Sequence, residues 1–192
     1  MAIVHFITHP DVHVDPGTPV PEWHLSARGI HRALAMLEQP WLRPLTSLFS
    51  SAERKAVDTA AILAAGTGLD VMVLEALHEN DRSATGYLPG PEFEAMADAF
   101  FARPGESVCG WERALDAQAR IVAAVERVLA MAPPGDIGIV AHGAVGALLL
   151  CRLKGVPISR AEDQPGRGGG NVFAFDRASQ ALLHGWQPTD GQ

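Results

Sequence analysis

Apolar positions along this chain change their spacing several times, and each change marks an element. The run Ala2-Ile3-Val4-His5-Phe6-Ile7-Thr8 is almost continuous in apolar and β-branched residues, which predicts a strand buried on both faces. Leu45 to Phe49, Val71 to Leu74 and Asp136 to Ala141 have the same short, bounded character and predict three more strands. Between them the apolar residues recur at helical spacing. A helix is predicted from Leu25-Ser26 to about Glu38, with Ser26 as N-cap, Leu25 able to staple onto Ile30, and Pro40 beyond its end. Ser50 and Glu53 have the spacing of a capping box, which places Arg54 in the first turn of a second helix that Gly66 or Gly68 ends. A long helix is predicted from about Ser107 to Met131, carrying Trp111, Leu115, Val122, Val125 and Leu129, with Pro133-Pro134-Gly135 as its stop. Another runs from Gly143 to Lys154. Asn171 to Asp176 and Ala181 to Trp186 predict two final strands around a short turn at Ala178.

Strand and helix alternate, so the expected fold is α/β: a three-layer sandwich, with a mostly parallel sheet and helices on both faces. The length suits a single domain over residues 1–192. From Asn80 to Pro104 the periodicity weakens. Gly86, Pro89, Gly90 and Pro91 interrupt it, and only Glu92 to Phe101 keeps a helical pattern. An insertion of this kind, at about 80–105 above a sheet edge, predicts a lid.

Composition changes this picture only by exclusion. With 47% apolar and 19% charged residues the chain can bury a core and is not disordered. A net charge of -7 argues against a nucleic-acid partner or a membrane surface, since both need a basic face. A small anionic substrate stays open if positive residues converge locally. Two cysteines, Cys109 and Cys151, are no disulfide framework, so a cytoplasmic location is expected. The N-terminus reads as a strand, which leaves no signal peptide expected there, and no apolar run is long enough to span a bilayer.

Ligands of open α/β sheets bind outside the carboxyl ends of the strands. The first strand delivers His9 there, and the Asp136 strand delivers His142 to Gly143, which opens a helix. Two imidazoles from separate strands point to proton transfer or nucleophilic attack. His5, His9 and His13 recur every four residues, as in a helical metal stripe, but Pro10 and the β-branched flanks argue against a helix, so no metal is expected. The glycine-rich run Gly166 to Gly170 precedes a strand instead of following one, which excludes a dinucleotide-binding loop.

Four pieces stand in order: His9; Ser50 to Arg54 with Thr59-Ala60 beyond; Glu79; and His142-Gly143. Leu25-Ser26-Ala27-Arg28-Gly29 and Gly105-Glu106-Ser107 add to them. Together, over nearly the whole chain, they resemble the histidine phosphatase, or phosphoglycerate mutase-like, superfamily. The resemblance implies that fold, and a phosphatase that hydrolyses a small phosphomonoester. In it His9 attacks phosphorus to form phosphohistidine, Arg54 clamps the phosphoryl oxygens, and His142 stabilises the charge developing on them. Ser51 and the Gly143 N–H contact phosphate, and Glu79 protonates the leaving oxygen and then activates water. No metal or organic cofactor is implied. A phosphoglycerate-type mutase is less expected, since it must hold a second phosphate.

The match departs at its leading motif, where Thr8-His9-Pro10 stands in place of Arg-His-Gly. Losing one charged hydrogen bond costs about 1.5–3 kcal/mol, and Pro10 has no backbone N–H to offer. Six residues past His9, where the family often carries a phosphate-contacting asparagine, lies Asp15. All three changes make the pocket less positive. Either the substrate differs, or other groups have moved in (Arg82 in the lid, Arg28, His13 and His78 being the candidates), or the chain is a catalytically degenerate member that binds a phosphorylated or other anionic ligand without turnover.

Overall fold

Four parallel strands form the centre of the molecule: β1 (Ile3–Thr8), β2 (Leu45–Ser50), β3 (Val71–Val73) and β4 (Asp136–Ala141). Two antiparallel strands, β5 (Asn171–Asp176) and β6 (Leu182–Pro188), complete one sheet in the order β3-β2-β4-β1-β5-β6. This is the expected mostly parallel α/β sheet. The structure, a computed structural model, describes residues 1–166 and 168–190; Arg167 in the glycine-rich run and the last two positions of the expected domain lie outside the described residues.

Strand alternation divides the core into two layers. Phe6, Phe49 and Ile139 point to one face and pack with Ile121, Val125 and Leu149 from helices α4 (Ala114–Met131) and α5 (Gly143–Lys154). Ile7, Leu48 and Val140 point to the other and meet Ala56, Ala60 and Leu63 of helix α2 (Arg54–Thr67) and Met36 just beyond helix α1 (Ala27–Ala35). Successive side chains of a strand face opposite ways, so one continuous apolar run feeds both layers. Among the described residues no helix is long and apolar enough to cross a membrane.

Helix starts follow the local chemistry with three corrections. Ser26 caps α1 as expected, its hydroxyl accepting the Gly29 N–H at 3.0 Å. Leu25 is held by a bridge to Val12, and Ile30 faces solvent. The N-cap of α2 is Glu53 and not Ser50, because the Glu53 side chain is drawn into the site described below. The helix expected from Ser107 begins only at Ala114. Before it a tight turn over Val108–Gly110 puts Cys109 at φ 48° and buries Trp111 against the segment expected as a lid, about 80–105. That segment contains helix α3 (Gly90–Ala102), whose Phe100 and Phe101 pack with Trp111, Ala147 and Leu148.

Candidate active site

The register of β1 on β4 pairs Thr8 with Ala141, so the next residue of each strand, His9 and His142, emerges side by side. The His9 N–H donates to the Ala141 carbonyl at 3.2 Å, and the two imidazole centres lie 5.2 Å apart, edge to face. The order of the strands therefore brings together two histidines 133 positions apart at the sheet's carboxyl edge.

The ring protons can be assigned from the partners. His9 Nδ1 lies 2.8 Å from the Pro10 carbonyl, which only accepts, so Nδ1 carries the proton and Nε2 keeps a free lone pair. Burial, helped by the Lys55 ammonium, lowers the His9 pKa to about 4, so the ring is neutral at pH 7. His142 is fully buried, with Nε2 2.8 Å from the Ser51 hydroxyl. That hydroxyl accepts the Glu53 N–H at 3.2 Å and among the described residues has no acceptor for its own proton other than Nε2, so that proton goes to Nε2 and the ring proton rests on Nδ1. Among the described residues Nδ1 of His142 has no hydrogen-bond partner. A buried donor beside a neutral imidazole needs an acceptor, and a phosphoryl oxygen is one.

Glu79 reaches the start of α5. Its Oε2 accepts the Ala144 N–H at 3.1 Å, while Oε1 accepts those of Val145 and Asn80 at 3.0 and 3.1 Å. Burial raises its pKa despite these donors and nearby Arg82. The loop before it is pinned by Arg120, which the sequence reading missed. Its guanidinium donates to the carbonyls of Ala76, His78 and Glu79 and pairs with Glu112 at 2.7 Å.

Arg54 does not join this group. It is exposed at the first position of α2, whereas Lys55 is buried and faces inward. One helical step turns a side chain by about 100°, so moving the N-cap from Ser50 to Glu53 decides which residue enters. Lys55 Nζ lies 2.5 Å from Glu53 Oε2 and donates to the Val20 carbonyl at 2.8 Å. Burial alone would raise the Glu53 carboxyl, but the Lys55 ammonium and the Glu79 N–H hold it well below the usual range. Glu53 Oε1 also accepts the Glu79 N–H at 2.8 Å, which ties the third strand's loop to this pair. The sequence held a signal for Lys55, since it shares a buried stripe with Thr59 and Leu63 at intervals of four.

The remaining expected residues divide. His9, Glu79, Arg82 and Gly143 all border one cleft of about 840 Å³ at the sheet's edge. Arg82 crosses the Phe93 ring at 4.9 Å and lies 6.0 Å from that of Trp111. His13 and Arg28 are exposed, and Arg28 lies 3.7 Å from Asp11. His78 turns Nδ1 to the Glu79 carbonyl and borders a neighbouring cavity instead. Asp15 is exposed and binds the Gly17 N–H and Thr18 hydroxyl, whereas Asp11 is the aspartate at the cleft. His5 stacks on Trp41, so the four-residue histidine spacing does not gather one site.

Residues 18–183 match the family model of the histidine phosphatase superfamily, branch 1. The chain belongs to the histidine phosphatase superfamily. The match begins beyond Thr8-His9-Pro10, the motif that departs. Among solved structures it is similar to a mycobacterial glucosyl-3-phosphoglycerate phosphatase complexed with inorganic phosphate, at 24% identity and a TM-score of 0.76 over 97% of this chain and 95% of that one. Bacillus stearothermophilus YhfR gives 21% identity and a TM-score of 0.79, over 95% and 94%. A putative α-ribazole-5'-P phosphatase from Escherichia coli gives 17% and 0.70, over 95% and 93%. These likenesses establish the fold. A sequence comparison with curated proteins finds no match.

Thr8 sits in a small hydrogen-bonded cluster at the end of β1. Thr8, fully buried, donates to Gln164 Oε1 at 2.7 Å and accepts the Asn171 N–H at 2.9 Å. The Asn171 amide nitrogen lies within 3.3 Å of the Pro165 and Gly169 carbonyls, which only accept, so it must be the donor to Gln164 Oε1 at 3.0 Å. Both donors fix the Gln164 amide, and its Nε2 faces Gly143, where a methyl group would come within 2.3 Å of it. Gln164 also borders the cleft. No periodicity marks this loop residue in the sequence.

Proposed function

We propose that the protein is a phosphomonoesterase working through phospho-His9. The observation that carries this is the His9–His142 pair: a neutral imidazole with a free Nε2 lone pair, 5.2 Å from a buried ring whose Nδ1 proton lacks an acceptor among the described residues. His9 Nε2 attacks phosphorus while the ester P–O bond breaks. The leaving oxygen takes its proton from Glu79, which burial shifts toward its acid form and whose Oε2 has only one backbone donor and so room for that proton. Glu79, now charged, takes a proton from water, which attacks the phosphoimidazole and releases orthophosphate and neutral His9. His142 Nδ1, Arg82 and the Gln164 amide meet the phosphoryl oxygens. Ser51, itself held by the Glu53 N–H, positions His142 through its Nε2.

A second reading has its own observation. The Lys55 charge is taken up by Glu53, and Thr8 brings no charge, so among the described residues the floor of the cleft is poor in free cations. A catalytically degenerate member would bind the anion and not turn it over. Hydrolysis of an aryl phosphate, followed by trapping of acid-labile phosphohistidine, separates the two. The hydrolytic reading expects turnover that His9→Ala abolishes. It also expects kcat/KM to rise through about pH 4 as His9 loses its proton, and to fall only above the ordinary carboxylate range, where Glu79 loses its own. Binding of phosphate with no turnover at any pH would favour the degenerate reading.

A further inference from the structure

Beside the cleft lies a second cavity of about 280 Å³ that the chemistry above does not use. Its walls are Val20, Trp23, Tyr87, Leu88 and Phe93, with Arg82 at its edge, and among the described residues no carboxylate lines it. The walls are built and not incidental. The Trp23 indole N–H donates to the Asp15 and Thr18 carbonyls at 2.9 and 3.0 Å, which satisfies its polar edge. Its ring centre lies 5.7 Å from that of Tyr87. Asp15 in turn holds its own turn through the Gly17 N–H and the Thr18 hydroxyl. A long proline-rich loop is thereby organised around one indole, opposite α3 and the segment before it.

The cavity is continuous with the site. Arg82, Gly90 and Phe93 border both it and the cleft that holds His9 and Glu79. Arg82 lies across the Phe93 ring, which presents one face of the guanidinium to the aromatic surface and leaves its N–H edge for oxygen. A third cavity that Arg82 also borders carries four carboxylates, Glu53, Glu75, Glu79 and Asp81, and suits an apolar group less.

We propose that the aromatic cavity seats the leaving group of the substrate, which is the phosphomonoester of a flat, uncharged aromatic alcohol. This rests on the phosphomonoesterase reading above. With phosphorus at His9, the ester oxygen leads past Arg82 and the ring lies between Trp23, Tyr87 and Phe93. Stacking and removal of apolar surface from water then supply binding energy that the cation-poor floor does not.

The test compares two non-hydrolysable phosphonates, 1-naphthylmethylphosphonate and methylphosphonate, by calorimetric titration of the whole chain, beside turnover of 1-naphthyl phosphate. The naphthyl ligand should bind about 10- to 100-fold more tightly. Tyr87→Ala, at an exposed position on the cavity's rim, should cut that ratio by about 3- to 10-fold. Equal affinities, or a ratio unchanged in Tyr87→Ala, overturn the aromatic seat. Turnover with equal phosphonate affinities leaves the hydrolytic reading standing and removes only the seat. A strong, Tyr87-dependent naphthyl preference without turnover does the reverse. Binding of neither phosphonate, with no turnover, overturns both, and with turnover it removes only the seat.

Discussion

Two arginines reach the same cleft from opposite walls, one from the loop after α5 and one from the segment before α3. Arg160 is paired with Glu94 and Asp98 on α3 and lies 3.7 Å from Asp163. Arg82 rests on Phe93 and Trp111, and among the described residues it has no carboxylate within ion-pair distance. Both border the cleft, yet only Arg82 brings charge that a bound anion can use. Arg160 instead spans from the loop to α3. An ion already surrounded by carboxylates adds little potential to a site, whereas an ion against an aromatic face keeps most of its own. The floor repeats the lesson, since Lys55 is buried beneath the histidines but is neutralised by Glu53 at 2.5 Å.

Substitution sharpens this contrast. Arg82→Gln should lower kcat/KM for an aryl phosphate by about 10- to 100-fold, the range for losing a charged hydrogen bond to the transferring group. Steady-state kinetics would check it, and a wild-type value would break the comparison. Gln164→Leu removes a neutral donor held against Gly143 and should cost about 2- to 10-fold in the same assay. An unchanged rate would mean that the Thr8–Gln164–Asn171 cluster serves structure only. Arg160→Gln should change kcat/KM by no more than about twofold, because a partly exposed, already paired ion contributes little. A loss as large as that of Arg82→Gln would show that Arg160 leaves its carboxylates when substrate binds.

The parts of the site that were legible in the sequence lie at strand ends. A buried strand has a clear start and stop, so the residue after it is placed to within a position, as with His9 and His142, whereas Glu79 lies six residues beyond β3, past the turn over Glu75–Leu77. Helix starts were less legible. The spacing of Ser50 and Glu53 satisfies a capping box, but Glu53 is taken by Lys55 and the Glu79 N–H, and the helix begins three residues later than that box implies. That shift replaced Arg54 by Lys55. Gln164 had no signal at all, because its partners Thr8 and Asn171 come from other strands.

By itself the sequence determined the alternating α/β fold and the strand ends that carry the two histidines, because strand burial and chain order depend on local periodicity. It also determined that Thr8 carries no charge. Only the tertiary structure decided which cations face the cleft and which of them are free. A guanidinium or ammonium takes its effect from groups within a few ångströms, and those groups arrive from distant segments: Glu53 for Lys55, the α3 carboxylates for Arg160, and Phe93 for Arg82.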